Sequence, residues 1–378
     1  MGLLATVRGP ALIHGKAMKK TVLAAAVGAA ALAACGGGGG SGGSSTGTSS
    51  TSSASAVALF AAPGTSASGS FVASGDTATD ALGYINNMRA QVGLAALSSQ
   101  SGVAQAAANH SLWEQDNNTV GHVETAGQTG YTGATPSDRV NLYYSTNSVG
   151  EVTAGFSGPF ASSTEAIEAL FDAPFHRAVM LFDAVHAGAG VANATSSTQL
   201  STLTVDLADY KQVVGDAQLV AWPYSGMSGV NTGWYANESP NPVASYNNGS
   251  LENTVVGYPV TLSGGDNAAF SNVSFTITDA SGANVPCIET DSSNNSDATR
   301  EAMCVPIARL AKGTTYTAKV SGTLTNASLA ATSFSVSWQF TTAATDNTPI
   351  GAPTSASAQS ASGARAFEQT TPRRVILN

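Results

Sequence analysis

Apolar positions repeat at helical spacing in the two segments that open the folded part of the chain. The first segment predicts a helix that ends at Gly93, and its apolar face consists of Ala81, Ile85, Met88 and Val92. The second predicts a helix from about Gly102 to Gln115, and its apolar face consists of Val103, Ala106, Ala107 and Trp113. His110 lies on this second face, so it is either a core histidine that donates one hydrogen bond or part of a site.

Later segments predict two more helices and a set of strands. Ser162 and Glu165 have the spacing of a capping box and open a third helix, which Pro174 ends before a short fourth segment. Gly188–Val191 and Leu203–Ala208 predict strands, and the glycines of the first indicate close backbone packing. The pattern then changes to short alternating strands over Val255–Leu262, Val273–Thr278, Thr315–Val320 and Phe334–Phe340. This order of elements predicts an α+β domain followed by an all-β domain.

The first 35 residues are typical of an export signal. Lys19 and Lys20 precede the apolar run Thr21–Ala34, and Leu32-Ala33-Ala34-Cys35 resembles a bacterial lipobox. That resemblance implies cleavage before Cys35 and a lipid on its thiol, with an ordinary cleaved signal and a chance cysteine as the alternative. The apolar run is shorter than the roughly 20 residues of a membrane-spanning helix, so we expect the membrane to be reached only through the lipid anchor.

The residues after the lipobox and the overall charge bear on location and partners. Gly36 stands where an aspartate is associated with inner-membrane retention, so we expect the outer membrane in a cell that has one. Residues 36–75 are mainly Gly, Ser, Thr and Ala and predict a flexible tether. The net charge of −9 and the pI near 4.9 argue against nucleic acid as a partner.

Two cysteines remain beyond the export signal, Cys287 and Cys304. In an exported protein such a pair predicts a disulfide, which would contribute on the order of 3 kcal/mol by closing its loop. A zinc site would need more ligands than the sequence offers near these two thiols.

The candidate chemistry is concentrated in one part of the chain. Four of the five histidines lie within one segment, at His110, His122, His176 and His186. Because only 10% of the residues are charged, a segment that gathers imidazoles and carboxylates predicts a site without naming a reaction. His122 and Glu124 are two residues apart, so in an extended segment their side chains point the same way. The sequence lacks the GxGxxG, HExxH and GxSxG motifs that mark several common enzyme classes.

Seven short motifs occur in an order that resembles the CAP superfamily of cysteine-rich secretory, antigen 5 and pathogenesis-related proteins, in particular its bacterial secreted branch. The motifs are Asn86-x-x-Arg89, Ala107-x-x-His110-Ser111, Gly121-His122, Asp138-Arg139 with Tyr143, Gly150-Glu151, Pro174-x-His176-Arg177 and Gly188-x-Gly190-Val191. No single motif is specific, and the resemblance depends on their common order over residues 76–215.

The resemblance implies a three-layer α-β-α sandwich with a cleft that holds two histidines and two acidic residues. In several family members this cleft binds a divalent metal, often zinc, and the residues that match are His122, Glu151 and His176. The position of the second acid aligns with Ala173, so we consider Glu168, Asp172 and Glu124 as substitutes. His110 and Arg177 are further candidate cleft residues. Two imidazoles and a carboxylate would suit zinc with one open position, or without metal would form a hydrogen-bonded cluster.

The remaining segments predict the domain order. Residues 1–35 are the lipoprotein signal, 36–75 the tether, 76–215 the CAP domain and 216–244 an interdomain linker. Residues 245–343 resemble a bacterial Ig-like β-sandwich, because Leu310-x-x-Gly313-x-x-Tyr316 is similar to a tyrosine corner and Trp338–Thr342 to a closing strand. Residues 344–378 are polar and low in complexity and predict a disordered tail.

Three functions remain open at this point. The leading hypothesis is a non-enzymatic binding module whose His/Glu cleft takes a divalent metal, a small lipid-like molecule or a glycan; a protein ligand is a further possible partner. The second is a metal-assisted hydrolase that acts on cell-wall or peptide substrates. The third is a structural or adhesive surface protein with a vestigial cleft. The family fold does not decide among them.

Overall fold

The computed structural model describes residues 56–60, 71–353 and 373–378. The predicted signal, Cys35 and most of the predicted tether lie outside these residues. Within the described part, the helices are α1 Thr77–Gln91, α2 Ser101–Asp116, α3 Pro136–Asn141, α4 Glu165–Asp172 and α5 Pro174–Met180. The first strands are β1 Ala58–Leu59, β2 Ser98–Ser99, β3 Val149–Ser157, β4 Ala184–Ala192, β5 Leu200–Tyr210, β6 Gln218–Trp222 and β7 Gly233–Tyr235.

The remaining strands follow a single 3-10 turn at Tyr246–Asn248. They are β8 Val255–Gly257, β9 Val260–Ser263, β10 Ala269–Thr278, β11 Cys287–Asp291, β12 Glu301–Pro306, β13 Thr315–Asn326, β14 Leu329–Thr341 and β15 Val375–Leu377. The described chain is therefore an α+β part followed by a β-rich part of several mainly antiparallel sheets. None of the described helices has the length and apolarity needed to cross a bilayer.

The two predicted N-terminal helices form with the apolar faces that the sequence indicates. The Asp76 side chain caps α1 by accepting from the Thr79 amide, and Gly93 follows the helix at a positive φ of 81°. Ala81 and Ile85 of α1 are fully buried. Helix α2 buries its predicted apolar face, together with His110. The 3.6-residue periodicity therefore predicted these elements correctly.

The first sheet has the strand order β15-β3-β5-β4-β2, and β3, β5 and β4 pair antiparallel. Helix α2 lies so close to β4 that a Cβ at Gly188 or Gly190 would overlap the α2 backbone at 2.0 Å. The glycines therefore allow the close helix–sheet contact that the sequence predicted. Because side chains alternate along a strand, Glu151 and Thr153 of β3 face α2, while Val152 and its apolar neighbours enter the main core.

The β-rich part contains two larger sheets and the expected disulfide. One sheet has the order β1-β6-β9-β12-β11 and the other β10-β13-β14. The disulfide links Cys287 of β11 to Cys304 of β12, which confirms the predicted pairing. The Tyr316 hydroxyl accepts a hydrogen bond from the Ala311 amide at 2.8 Å, five residues earlier in the chain.

Three segments that were predicted to lack regular structure contribute strands. Residues 58–59 of the predicted tether pair with β6, and β6 itself belongs to the predicted linker. Residues 375–377 of the predicted tail pair with β3. Each is a short apolar run that finds an unpaired strand edge, a long-range contact that local composition does not reveal. The apolar core is continuous across the predicted linker, since the Phe171 and Trp222 rings lie 4.9 Å apart.

Candidate functional site

His122 forms a hydrogen-bonded pair with Glu151, two side chains that the sequence predicted to meet. The distance from His122 Nδ1 to Glu151 Oε1 is 2.9 Å. The His122 side chain is 42% exposed, whereas that of Glu151 is only 1% exposed. Strand β3 holds Glu151 on the sheet face that α2 covers, and Gly121, with a positive φ of 151°, begins the loop that brings His122 over it. The pair therefore presents one accessible imidazole on a buried carboxylate.

Arg139 binds Oε2 of Glu151, the carboxylate oxygen that His122 does not contact. Its Nη2 lies 2.5 Å from Glu151 Oε2, and its Nη1 donates to the His122 carbonyl oxygen at 3.0 Å. Arg139 is fully buried in the last turn of α3, a helix that begins with a capping box between Thr135 and Asp138. The sequence offered Arg139 only as part of the Asp138-Arg139 motif, but its guanidinium forms hydrogen bonds with both members of the His122–Glu151 pair.

His110 and Glu124 form a second, buried pair beneath the first. His110 Nδ1 lies 2.9 Å from Glu124 Oε1, and His110 Nε2 lies 3.0 Å from the Gly121 carbonyl oxygen. The other oxygen of Glu124 accepts from the Thr132 and Gly133 amides. Both residues are therefore engaged in holding the loop that carries His122. His110 is thus a buried histidine, and the Glu124 carboxylate contacts His110 and the loop amides.

Four carboxyl groups share this buried region, and the environment divides them into two classes. Burial works to raise the pKa of Glu151, but the hydrogen bond from His122 and the nearby His110 and Arg139 outweigh it and lower that pKa to about 2. Burial likewise opposes ionisation of Glu124, yet the bonds from His110 and the loop amides lower its pKa. Both carboxylates are thus ionised at neutral pH.

The other two carboxyl groups are shifted in the opposite direction. Burial, which the hydrogen bonds from Gly121 and Thr153 only partly offset, raises the pKa of Glu114 well above its ordinary value. Burial and the charge of Glu151 raise the pKa of Asp206, which stands opposite Glu151 on β5. Burial therefore disfavours the charged forms of Glu114 and Asp206 beside the two ionised carboxylates.

His176, the third predicted member of the cleft, has a different partner. Its Nδ1 lies 2.8 Å from Glu238 Oε2, and the same oxygen accepts from the Phe175 amide. The His176 side chain is 5% exposed and that of Glu238 is fully buried. Burial raises the pKa of Glu238, against the effect of the hydrogen bond from His176. His176 is thus paired with Glu238, an acid of the predicted linker that lies 62 residues further along the chain.

Arg177, a further candidate of the predicted cleft, is buried and joins two parts of the fold. It is 1% exposed, and its guanidinium donates to the Tyr258 hydroxyl and to the Pro259 carbonyl oxygen. Its Cζ also lies 5.4 Å from the centre of the Tyr258 ring. Asp172, one proposed second acid, accepts a hydrogen bond from Asn231 instead, and burial raises its pKa to about 6.

The zinc site expected from the resemblance does not fit this arrangement. Among residues 56–60, 71–353 and 373–378, no group of three or more His, Cys, Asp or Glu side chains is arranged to hold a metal ion. Both oxygens of Glu151 already bind His122 and Arg139, and His176 is held by Glu238. A guanidinium within hydrogen-bond distance of a prospective ligand also opposes a divalent cation.

Sequence reasoning missed three acids of this region for different reasons. Asp206 lies within the apolar and hydroxyl-bearing run Leu200–Ala208, and Glu114 lies four residues after His110 on the same helix, so both positions carried a usable signal. Glu238 carried none, because it lies in an irregular segment and reaches His176 only through the tertiary fold.

Comparison with known protein families matches residues 82–206 to the family described as CAP: Cysteine-rich secretory protein family. Comparison with curated protein sequences gives no match. Among solved structures, the chain is similar to an extracellular protein containing a SCP domain from Bacillus anthracis, with 19% identity and a TM-score of 0.29 over 35% of this chain. That alignment covers 40% of the Bacillus anthracis chain, so it spans less than half of that protein. An outer surface protein from Borrelia burgdorferi matches with 18% identity and a TM-score of 0.29, over 34% of this chain and 90% of its own.

Proposed function

We propose that this chain, whose residues 82–206 are a CAP domain, is an exported binding module that takes a polar ligand at His122. The observation that supports this proposal most directly is the 42% exposure of the His122 side chain over the buried Glu151 carboxylate. The other histidines of the predicted cleft, His110 and His176, are buried and paired with Glu124 and Glu238. His122 is therefore the cleft imidazole that a ligand can reach.

The protonation of the pair defines what His122 can bind. Because an ionised Glu151 can only accept, Nδ1 of the neutral His122 ring carries the proton and donates a hydrogen bond to Oε1. Nε2 of that ring is then a hydrogen-bond acceptor, oriented by a buried carboxylate that Arg139 also binds. Val123 beside it is 66% exposed and adds an apolar surface. A hydroxyl group on a molecule with an apolar face, as in a glycan or a small lipid-like ligand, matches these two features.

The proposed location rests on the N-terminal sequence and on the disulfide. The basic pair at Lys19-Lys20, the apolar run and Cys35 support lipid anchoring in the cell envelope. The Cys287–Cys304 disulfide supports an oxidising compartment. The two larger sheets of the β-rich part and the Tyr316–Ala311 contact support an Ig-like sandwich, for which we propose a spacer role.

A metal-free hydrolase is the second candidate, since one observation favours it. A neutral histidine oriented by a buried carboxylate is the arrangement that general bases use to take a proton from a nucleophile. If this candidate holds, Glu151→Gln should remove turnover of peptidoglycan or peptide substrates. The glutamine amide can donate to His122 Nδ1, which leaves the ring proton on Nε2, and Nε2 then cannot act as the base. Turnover that survives this substitution would exclude the pair as the base.

Binding should depend on His122 and not on a similar histidine elsewhere. We expect His122→Ala to weaken binding of the best ligand from a panel of peptidoglycan fragments, oligosaccharides and fatty acids by about tenfold or more, the cost of one oriented hydrogen bond. His186 is a matched control, because it is partly exposed and paired to Asp209 at 2.9 Å. Calorimetric titration that gives equal losses for His122→Ala and His186→Ala would contradict the proposal.

A further inference from the structure

Residues 373–378, which we call the strap, extend the first sheet at the edge of β3. Val375, Ile376 and Leu377 pair antiparallel with β3 residues 154–156. Asn378 and Thr153 exchange two backbone hydrogen bonds of 2.9 and 2.6 Å, and the Ser157 amide donates to the Arg374 carbonyl oxygen at 2.9 Å. The contacts are main-chain contacts of the kind that any extended peptide can make.

The opposite edge of the strap meets the segment that carries Glu238. The Ser239 amide donates to the Leu377 carbonyl oxygen at 3.0 Å, and Glu238 and Leu377 form a parallel bridge. The Leu377 side chain between these neighbours is only 2% exposed. The strap therefore fills a groove, bounded by β3 on one side and residues 238–239 on the other, that offers hydrogen bonds from both walls.

The Arg373 side chain helps to fix the direction and register of the strap. The Arg373 guanidinium lies 2.5 Å from Glu165 Oε1, donates to the Ser157 carbonyl oxygen at 2.9 Å and lies 5.0 Å from the centre of the Phe156 ring. Arg374 is exposed and contributes only backbone bonds. The groove thus distinguishes two neighbouring arginines, which is the property of a site that recognises sequence.

We propose that this groove is a peptide-binding site, and that the strap is its tethered occupant, which an extended peptide with the same pattern displaces. The peptide pattern has two defined positions. The first is an arginine, which would contact Glu165 and Phe156 as Arg373 does. The second, four residues later, is an aliphatic residue, which would take the buried place of Leu377. The strap holds few anchors, since Arg373 is partly exposed and Leu377 is its one fully buried side chain among the described residues. The site goes beyond the proposed function, because no contact between the strap and the His122 side chain is needed for it.

Removing the strap should make the groove available to a free peptide. We expect the chain that lacks residues 354–378 to bind a fluorescent peptide with the sequence of residues 372–378. The intact chain should bind this peptide at least about tenfold more weakly, because a tethered occupant competes at a roughly millimolar effective concentration. Failure of the shortened chain to bind, or equal binding by both chains, would overturn the proposal.

The two arginines of the peptide supply a matched test of specificity. Arg373→Glu in the peptide should reduce its affinity for the shortened chain by about tenfold or more, because it places a carboxylate against Glu165. Arg374→Glu should change the affinity by less than about threefold, as expected of an exposed side chain. Equal losses for the two peptides would mean that the peptide is held by net charge and not by the groove.

Hydrogen exchange on the intact chain keeps the proposal testable if the shortened chain does not fold. The Thr153 and Ser239 amides, which the strap carbonyls cover, should exchange at least about tenfold faster than amides of the central strand β5, because the strap detaches without global unfolding. Exchange at Thr153 and Ser239 that is as slow as in β5 would show that the strap is a permanent strand.

Discussion

Replacing Arg139 with methionine is expected to cost about 3–5 kcal/mol of folding stability, because it leaves buried carboxylates without their cation. Arg139 is fully buried, and Glu151, its partner at 2.5 Å, is 1% exposed. Methionine approximates the aliphatic part of the side chain, so the loss would come from charge and hydrogen bonds rather than from a cavity. Urea unfolding followed by circular dichroism measures the change. The matched control is Arg374→Met, which should stay within about 0.5 kcal/mol because Arg374 is exposed.

The same substitution should show a defined pH dependence. The folded-state pKa of Glu151 is depressed from its ordinary 4.5 to about 2, so its contribution is present above about pH 4.5 and is lost as the pH falls toward 2. Without Arg139 the carboxyl group accepts a proton more readily, which removes the uncompensated charge. The difference between the parent chain and Arg139→Met should therefore be largest near neutral pH and should shrink in acid. A difference that grows in acid would contradict this assignment of charges.

A chain cut after residue 215 is expected to lose cooperative folding, although it contains the whole segment that matches the CAP family. The cut removes Glu238 from the buried His176, and Tyr258 and Pro259 from the buried Arg177. Each unpaired buried group costs several kcal/mol, which together approach the roughly 5–15 kcal/mol stability of a typical domain. Thermal unfolding monitored by calorimetry should show no sharp transition for this chain.

A second cut supplies the control. A chain that ends at residue 353 keeps Glu238 and Tyr258 and loses only the strap among the described elements, so it should still unfold cooperatively. If the chain cut after residue 215 unfolded within a few degrees of the intact one, the interface between the two parts would contribute little. The domain boundaries predicted from composition would then describe two independent folding units.

Local sequence patterns predicted well the elements of the segment that matches the CAP family, and for a physical reason. The spacing of Ala81 and Ile85 reflects the side of α1 that is buried. The glycines at 188 and 190 reflect the close contact of β4 with α2. The pairing of His122 with Glu151 followed from the resemblance to the family. The disulfide followed from two cysteines in an exported chain. In all these cases the information lies in residue type and short-range spacing.

The long-range contacts could not be predicted in this way. Glu238 lies in an irregular segment with no periodicity, yet it reaches His176. Val375–Leu377 follows a polar stretch, and its pairing with β3 depends on an edge formed more than 200 residues earlier. Likewise, Arg139 and Glu238 bind the groups that the family resemblance assigned to a metal. Such competition among partners is visible only in three dimensions.

The position of the proton on the His122 ring tests the proposed site most directly. Two-bond proton–nitrogen spectra of the protein with labelled histidine, recorded at about pH 8 where an ordinary imidazole is neutral, distinguish the two tautomers. We expect His122 to carry its proton on Nδ1, facing the ionised Glu151, and Glu151→Gln to abolish this preference. A His122 ring protonated on Nε2 in the unaltered protein would show that the carboxylate does not orient the imidazole, and the proposed acceptor site would not exist.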